Sequence, residues 1–72
     1  MTNTNLLRQK IDESGLKLQF IADRLGISRF ALYQKLENQT EFRVSEVATL
    51  CKLLGIKTMT ERERVFFADK VE

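Results

Sequence analysis

The sequence predicts an all-α fold, a compact bundle of about five short helices forming one domain over 1–72. Apolar residues recur at helical spacing along the chain, proline is absent, and each of the three glycines directly follows a segment with that spacing. A glycine in the left-handed conformation closes a helix without steric penalty, so the glycines mark helix ends. Seventy-two residues leave no room for a second core. We expect a core domain over 5–56 and a helical tail over 57–72.

The first predicted helix begins at Asn5 as its capping residue and runs to about Ser14. It places Leu7 and Ile11 on one face. The second covers about 18–25, and its apolar residues follow the i, i+3, i+4, i+7 pattern of a helix that is buried on one side: Leu18, Ile21, Ala22 and Leu25.

The third predicted helix covers about 29–38, with Ser28 as its N-cap and Leu32 and Leu36 facing inward. Ile27 fills the turn that precedes it. A polar loop over 39–43 follows, and a fourth helix covers about 44–54. The apolar side of the fourth helix is the strongest in the chain: Val44, Val47, Leu50, Cys51 and Leu54. We expect Cys51 to be a small core residue.

The last predicted helix opens with a capping box from Thr60 to Glu63, in which a hydroxyl and a carboxylate bind opposite amides. Its apolar residues are Val65, Phe66, Phe67 and Ala68. Acidic and basic residues balance over 57–72, so the tail is not an electrostatic clamp for DNA. Its residues Phe66, Phe67 and Val71 either cover the core or form an exposed patch for a second protein.

The composition excludes most enzyme classes. The chain has no histidine and one cysteine, so it lacks an internal disulfide, the usual zinc ligand sets and every Ser-His or Cys-His pair. We expect no enzyme activity, no metal and no cofactor. An apolar run of about 18 residues and a signal-peptide pattern are both missing, which predicts a cytoplasmic protein without membrane contact. The net charge of +2 is too small to establish nucleic-acid binding by itself.

The spacing of the second and third helices predicts a helix-turn-helix motif. Ala22 is small where the two helices must approach, and Gly26 permits the sharp turn between them. The start of the third helix would then project into a major groove about 12 Å wide.

Residues 18–38 resemble the helix-turn-helix of the Cro and phage-repressor type, also called the xenobiotic-response-element family, and the resemblance covers roughly 5–56. The chain is also similar to small phage Cro-like and modulator-of-repression proteins, which share Gly-Ile-Ser-Arg at 26–29, Tyr-x-Lys-Leu at 33–36 and Phe-Phe-Ala at 66–68. The resemblance implies a lambda-repressor-like fold. It also implies a regulator in a bacterial host cell that binds double-stranded operator DNA and acts in the switch between lysogenic and lytic programmes.

The resemblance also assigns roles at the start of the third helix. Ser28 would contact phosphate, Arg29 a guanine edge, Gln34 an adenine and Phe30 a thymine methyl, with Tyr33 also facing DNA. Four further residues are candidates for phosphate contacts: Lys17, Gln19, Lys35 and Arg43. A homodimer would hold two third helices about 34 Å apart.

Three positions depart from the family pattern. Leu18 stands where a glutamine often binds the DNA backbone, Phe30 where polar residues are commoner, and Lys35 where the family often has an apolar residue. Leu18, Phe30 and the low net charge favour an alternative, a modulator or antirepressor that binds a phage repressor and has little or no DNA affinity alone. Its partner contacts would come from four aromatic residues: Phe30, Phe42, Phe66 and Phe67. A further interpretation packs Phe30 and Tyr33 against Phe20 or Phe42 within the monomer.

Overall fold

The computed structural model describes residues 1–68, which form five α-helices and no strand. The helices are α1 Thr4–Ser14, α2 Leu18–Leu25, α3 Arg29–Leu36, α4 Val44–Leu54 and α5 Met59–Phe66. The predicted all-α fold is therefore confirmed. Val71, which we expected in an apolar tail, lies outside the described residues.

The five helices enclose one hydrophobic core. α1 packs against α3, α4 and α5, while α2 packs against α3 and α4. The buried apolar side chains come from all five helices and the α4–α5 turn: Leu7, Ile11, Ile21, Ala22, Leu32, Leu36, Val47, Leu50, Cys51, Ile56, Val65 and Phe66. The inward positions predicted for the first three helices are buried, except that Leu18 and Leu25 are half-buried against the core. The predicted burial of Cys51 is confirmed.

The start of α1 lies earlier than predicted. The side chain of Asn3, not Asn5, caps the helix and accepts a hydrogen bond from the Leu6 amide at 3.1 Å. The Asn3 amide in turn donates to the carbonyl oxygen of Val65 at 2.7 Å, and the Ala68 amide donates to the carbonyl oxygen of Met1 at 3.2 Å. These bonds hold the first residues against the end of α5, so Asn3 is the residue placed to cap.

The start of α5 is also earlier than predicted. Thr58, not Thr60, is the N-cap, and its side chain accepts from the Glu61 amide at 3.1 Å. Thr60 lies inside the first turn of the helix. The Glu61 carboxylate binds Lys10 Nζ of α1 at 2.6 Å, so this side chain connects two helices.

The end of α3 comes two residues before the predicted one, at Leu36. Asn38 has a positive φ of 59°, and the amide of Gln39 donates to the carbonyl oxygen of Gln34 at 2.9 Å. This pattern closes a helix, and asparagine is one of the few residues that adopt the left-handed conformation readily. The Asn38 side chain also donates to the Thr2 carbonyl oxygen at 3.0 Å, which attaches the helix end to the amino-terminal residues.

One residue of the predicted apolar side of α4 is not in the core. Val44 is 86% exposed, whereas Val47, Leu50 and Cys51 are buried. Val44 is the first residue of the helix. Side chains in a helix lean toward its amino terminus, so that of Val44 extends beyond the packed turns.

The α2–α3 turn joins two packed helices through three residues. The Gly26 amide donates to the Asp23 carbonyl oxygen at 3.1 Å, and the Ile27 amide donates to that of Ala22 at 3.0 Å. Gly26 has a φ of 72°, the left-handed conformation that this closure requires. Ser28 then caps α3 by accepting the Ala31 amide at 3.0 Å, as predicted. The turn therefore ends one helix and starts the next within three residues.

Candidate nucleic-acid interface

The side of α3 that points away from the core carries the residues predicted to read DNA. Leu32 and Leu36 are each only 1% exposed, because they pack into the core. The opposite side and the preceding cap form a surface that we call the α3 face: Ser28, Arg29, Phe30, Tyr33 and Gln34. The first four of these residues are exposed and Gln34 is half-buried. The structure therefore brings the five predicted contacts together at one end and one side of a helix.

Ser28 keeps a donor for a ligand. Its hydroxyl oxygen accepts the Ala31 amide, while the residue itself remains exposed. A serine hydroxyl both donates and accepts, so its proton is left for an acceptor such as a phosphate oxygen.

Arg29 and Tyr33 lie one helical turn apart and contact each other. The guanidinium carbon of Arg29 lies 5.9 Å from the centre of the Tyr33 ring, within the range of a cation–π interaction. No carboxylate within residues 1–68 forms an ion pair with Arg29. The guanidinium is therefore oriented by an aromatic ring but not neutralised, and its donors remain available to an acceptor.

Phe30 lies beside this pair and is 71% exposed. Over residues 1–68 the one ring-to-ring contact joins Phe42 and Phe66, so the interpretation that Phe30 and Tyr33 pack against Phe20 or Phe42 is wrong. The physical reason is that Phe30 follows Arg29 on the outward side of α3, away from the core residues Leu32 and Leu36. Its ring is free to contact a partner.

Three of the four predicted phosphate contacts are exposed side chains near helix starts. Lys17 directly precedes α2, and Arg43 directly precedes α4. Gln19 is exposed in the first turn of α2, where its side chain donates to the Asp23 carboxylate at 2.9 Å. Backbone amides at a helix start favour an anion, so the positions of Lys17 and Arg43 suit a phosphate.

The fourth predicted phosphate contact, Lys35, is wrong. This residue is only 9% exposed. Its Nζ donates to the Glu41 carbonyl oxygen at 2.9 Å, lies 3.1 Å from Oε1 of Glu46, and sits 5.7 Å from the centre of the Phe42 ring. Lys35 follows Leu32 by three residues, so it shares the inward side of α3. That spacing was the feature of the sequence that could have indicated burial.

The predicted partner surface formed by phenylalanines is only partly present. Phe66 is 4% exposed and meets the Phe42 ring edge-on, with centroids 5.8 Å apart and an interplanar angle of 84°. The prediction that Phe66 contacts a partner is therefore wrong, since the ring belongs to the core. Phe42 and Phe67 are half-buried and pack against that core. Phe30 alone among the four predicted aromatic contacts is largely exposed.

A second exposed pair was not predicted. The Phe20 ring of α2 is 43% exposed, and the guanidinium carbon of Arg24 lies 5.9 Å from its centre. The spacing of four residues is the same as that between Arg29 and Tyr33, although the order of cation and aromatic is reversed. An aromatic and a cation four residues apart on a helix is the pattern in the sequence that could have found this pair.

Other kinds of site are missing from the described part of the chain. Residues 1–68 contain no group of three side chains that could hold a metal ion. None of their helices is long and apolar enough to cross a membrane. Comparisons of the chain with protein-family models, curated proteins and solved structures give no match.

Proposed function

We propose that this chain is a DNA-binding transcription regulator whose α3 face enters the major groove of an operator. α2 and α3 would act as a helix-turn-helix, with α3 as the recognition helix. The resemblance of residues 18–38 to the Cro and phage-repressor family supports this proposal, and extends it to the switch between lysogenic and lytic programmes of a phage.

The observation that carries the proposal is the division of α3 into two sides. Leu32 and Leu36 hold the helix in the core, while Arg29 and Phe30 are exposed in its first turn. A recognition helix needs this arrangement, because its first residues must reach base edges while the helix itself stays fixed. Arginine binds both acceptors of a guanine edge in the major groove, and an aromatic ring can contact a thymine methyl. We assign these two contacts to Arg29 and Phe30.

Phosphate contacts would flank this readout. Lys17 and Arg43 are exposed cations without an ion-pair partner within residues 1–68, and Ser28 retains its hydroxyl donor. Contacts of this kind fix the register of a protein on the duplex but carry little sequence information. They also make the affinity fall as salt rises, because binding releases counterions from the DNA.

The proposal can be tested by letting the purified chain select binding sites from a pool of random DNA duplexes. We expect enrichment of a defined sequence, and steep weakening of its binding as salt increases. If two chains bind together, the enriched sequence should contain two half-sites about 34 Å apart. Selection that enriches no sequence, with no retardation of any duplex at low salt, would contradict the proposal.

The exposure of Phe30 supports a second candidate function. A phenylalanine that is 71% exposed is a typical anchor for a protein partner. The alternative is a modulator that binds a repressor protein through Phe30 and alters its DNA occupancy. Band-shift measurements with the chain alone, with a phage repressor alone and with both distinguish the functions. A changed shift only in the mixture favours the second candidate, whereas a shift by the chain alone favours the first.

A further inference from the structure

Four residues join the end of α3 to the loop over 39–43 and to the start of α4. We call them the Lys35 cluster: Lys35, Glu41, Phe42 and Glu46. Lys35 and Glu46 are 9% and 5% exposed, so this is an ion pair held away from water. A buried ion pair makes up for the lost hydration of its charges only when the other hydrogen-bonding atoms of both side chains also have partners.

The contacts of the Lys35 cluster satisfy both charges and connect three pieces of backbone. Lys35 Nζ binds the carbonyl oxygen of Glu41 in the loop at 2.9 Å and Oε1 of Glu46 in α4 at 3.1 Å. The same Oε1 accepts the backbone amide of Arg43 at 2.8 Å. One carboxylate oxygen therefore connects the ammonium group of α3 to the backbone of Arg43.

The Phe42 ring lies against the ammonium group of Lys35. Its centre lies 5.7 Å from Lys35 Nζ, and its edge-on contact with Phe66 anchors it to the core. Glu41, Phe42 and Arg43 are consecutive in the loop, and each is bound through the carbonyl, the ring or the amide. The loop is thus held at three successive residues by groups that converge on Lys35 and Glu46.

We infer that Lys35 is a positioning residue, which fixes the loop over 39–43, and with it Arg43, relative to the α3 face. The DNA part of this inference rests on the proposed function. Lys35 itself would contact no DNA. Its role is to keep the phosphate contact of Arg43 in register with the base contacts of Arg29, which lies in the same helix as Lys35.

The test uses a paired substitution that removes both charges but preserves volume, Lys35→Met with Glu46→Gln. The glutamine side-chain oxygen can still accept a hydrogen bond from the Arg43 amide, and methionine fills most of the space of lysine. The helices should therefore remain folded, which circular dichroism measures. The matched control is Lys10→Met with Glu61→Gln, which removes another Lys–Glu pair between helices, 2.6 Å apart and distant in sequence from the loop.

The first readout does not depend on DNA. We expect the ¹⁵N heteronuclear NOE values of residues 39–43 to fall in the paired variant and to stay unchanged in the control, because only the former frees the loop on the nanosecond timescale. A folded variant whose loop NOE values equal those of the parent would overturn the inference. The NOE comparison tests the role of Lys35 even if the parent chain binds no duplex. Absence of duplex binding would count against the proposed function and not against the role of Lys35 in the loop.

The second readout is a double-mutant cycle with Arg43→Ala on the duplex selected above. If Lys35 acts through Arg43, the paired substitution should reduce the slope of log affinity against log salt by about one, as loss of one phosphate contact does. In the Arg43→Ala background it should have no further effect. The same loss of affinity in both backgrounds would overturn the inference, since Lys35 would then act independently of Arg43.

Discussion

The amide of Ile27 donates to the carbonyl oxygen of Ala22 at 3.0 Å across a left-handed Gly26. This hydrogen bond closes α2 and directs the chain into Ser28, the cap of α3. Ala22 is completely buried and Ile27 is half-buried against the core, so both ends of the bond are held by packing. The orientation of the α3 face therefore depends on a turn of three residues.

Substitution of Gly26 by alanine should destabilise the chain. A Cβ there would meet no atom within 4 Å, so the cost arises from the φ of 72° alone. A left-handed residue with a side chain costs about 1–2 kcal/mol. Chemical denaturation should show a loss of that size for Gly26→Ala and a smaller one for Gly26→Asn, because asparagine tolerates this conformation better. Equal losses for the two variants would contradict the explanation by backbone strain.

Substitution of Arg29 by alanine should relax the sequence preference at one base pair. We expect the discrimination there to fall by about 1–3 kcal/mol, the contribution of one bidentate contact. Fluorescence anisotropy with duplexes that vary at single positions measures the change. Arg64→Ala is the control, since Arg64 is an exposed cation of α5 outside the α3 face. A uniform loss across all duplexes would instead assign Arg29 to phosphate.

Substitution of Lys17 or Arg43 by alanine should weaken binding to every duplex by the same factor. Each variant should also reduce the salt slope by about one, because one fewer phosphate is neutralised. Titrations at several salt concentrations, on the selected duplex and on an unrelated one, give both quantities. Lys52→Ala serves as the comparison, since this exposed lysine belongs to α4 and was not assigned a phosphate. A slope unchanged by the loss of Lys17 would remove that residue from the interface.

Two phenylalanines should differ sharply in their effect on stability. Phe66→Ala empties a buried site and should lower the free energy of unfolding by about 3–5 kcal/mol. Phe30→Ala removes a ring that is 71% exposed and should change it by no more than about 0.5 kcal/mol. Urea denaturation followed by circular dichroism measures both. A large loss for Phe30→Ala would mean that the ring supports the fold rather than a partner contact.

The helices were predictable because their apolar residues repeat at local spacing. Ile21, Ala22, Leu32 and Leu36 are all where the periodicity places them, and glycine closes α1, α2 and α4. The N-caps of α1 and α5 were predicted wrongly, because another residue able to cap, Asn3 or Thr58, lies two positions before the predicted one. The choice of Asn3 depends on its contact with Val65, which is distant in sequence.

The part of the candidate site that lies on a single helix could be predicted from the sequence. The exposed positions of Arg29, Phe30 and Tyr33 follow from the spacing of Leu32 and Leu36, which defines the inward side of α3. The burial of Lys35 does not follow from charge, because its partner Glu46 lies eleven positions later and is brought near only by the packing of α4. The spacing from Leu32 indicates the side of α3 on which Lys35 lies, but only the tertiary structure shows which carboxylate pairs with it.

The hydrogen bonds from Asn3 to Val65 and from Ala68 to Met1 link opposite ends of the described chain. Neither end can fray without releasing the other, so amino-terminal and α5 amides should open as one cooperative unit. Native-state deuterium incorporation would then give a common opening free energy for Asn3 and Ala68, and a truncation of the first three residues would loosen a helix more than fifty positions away.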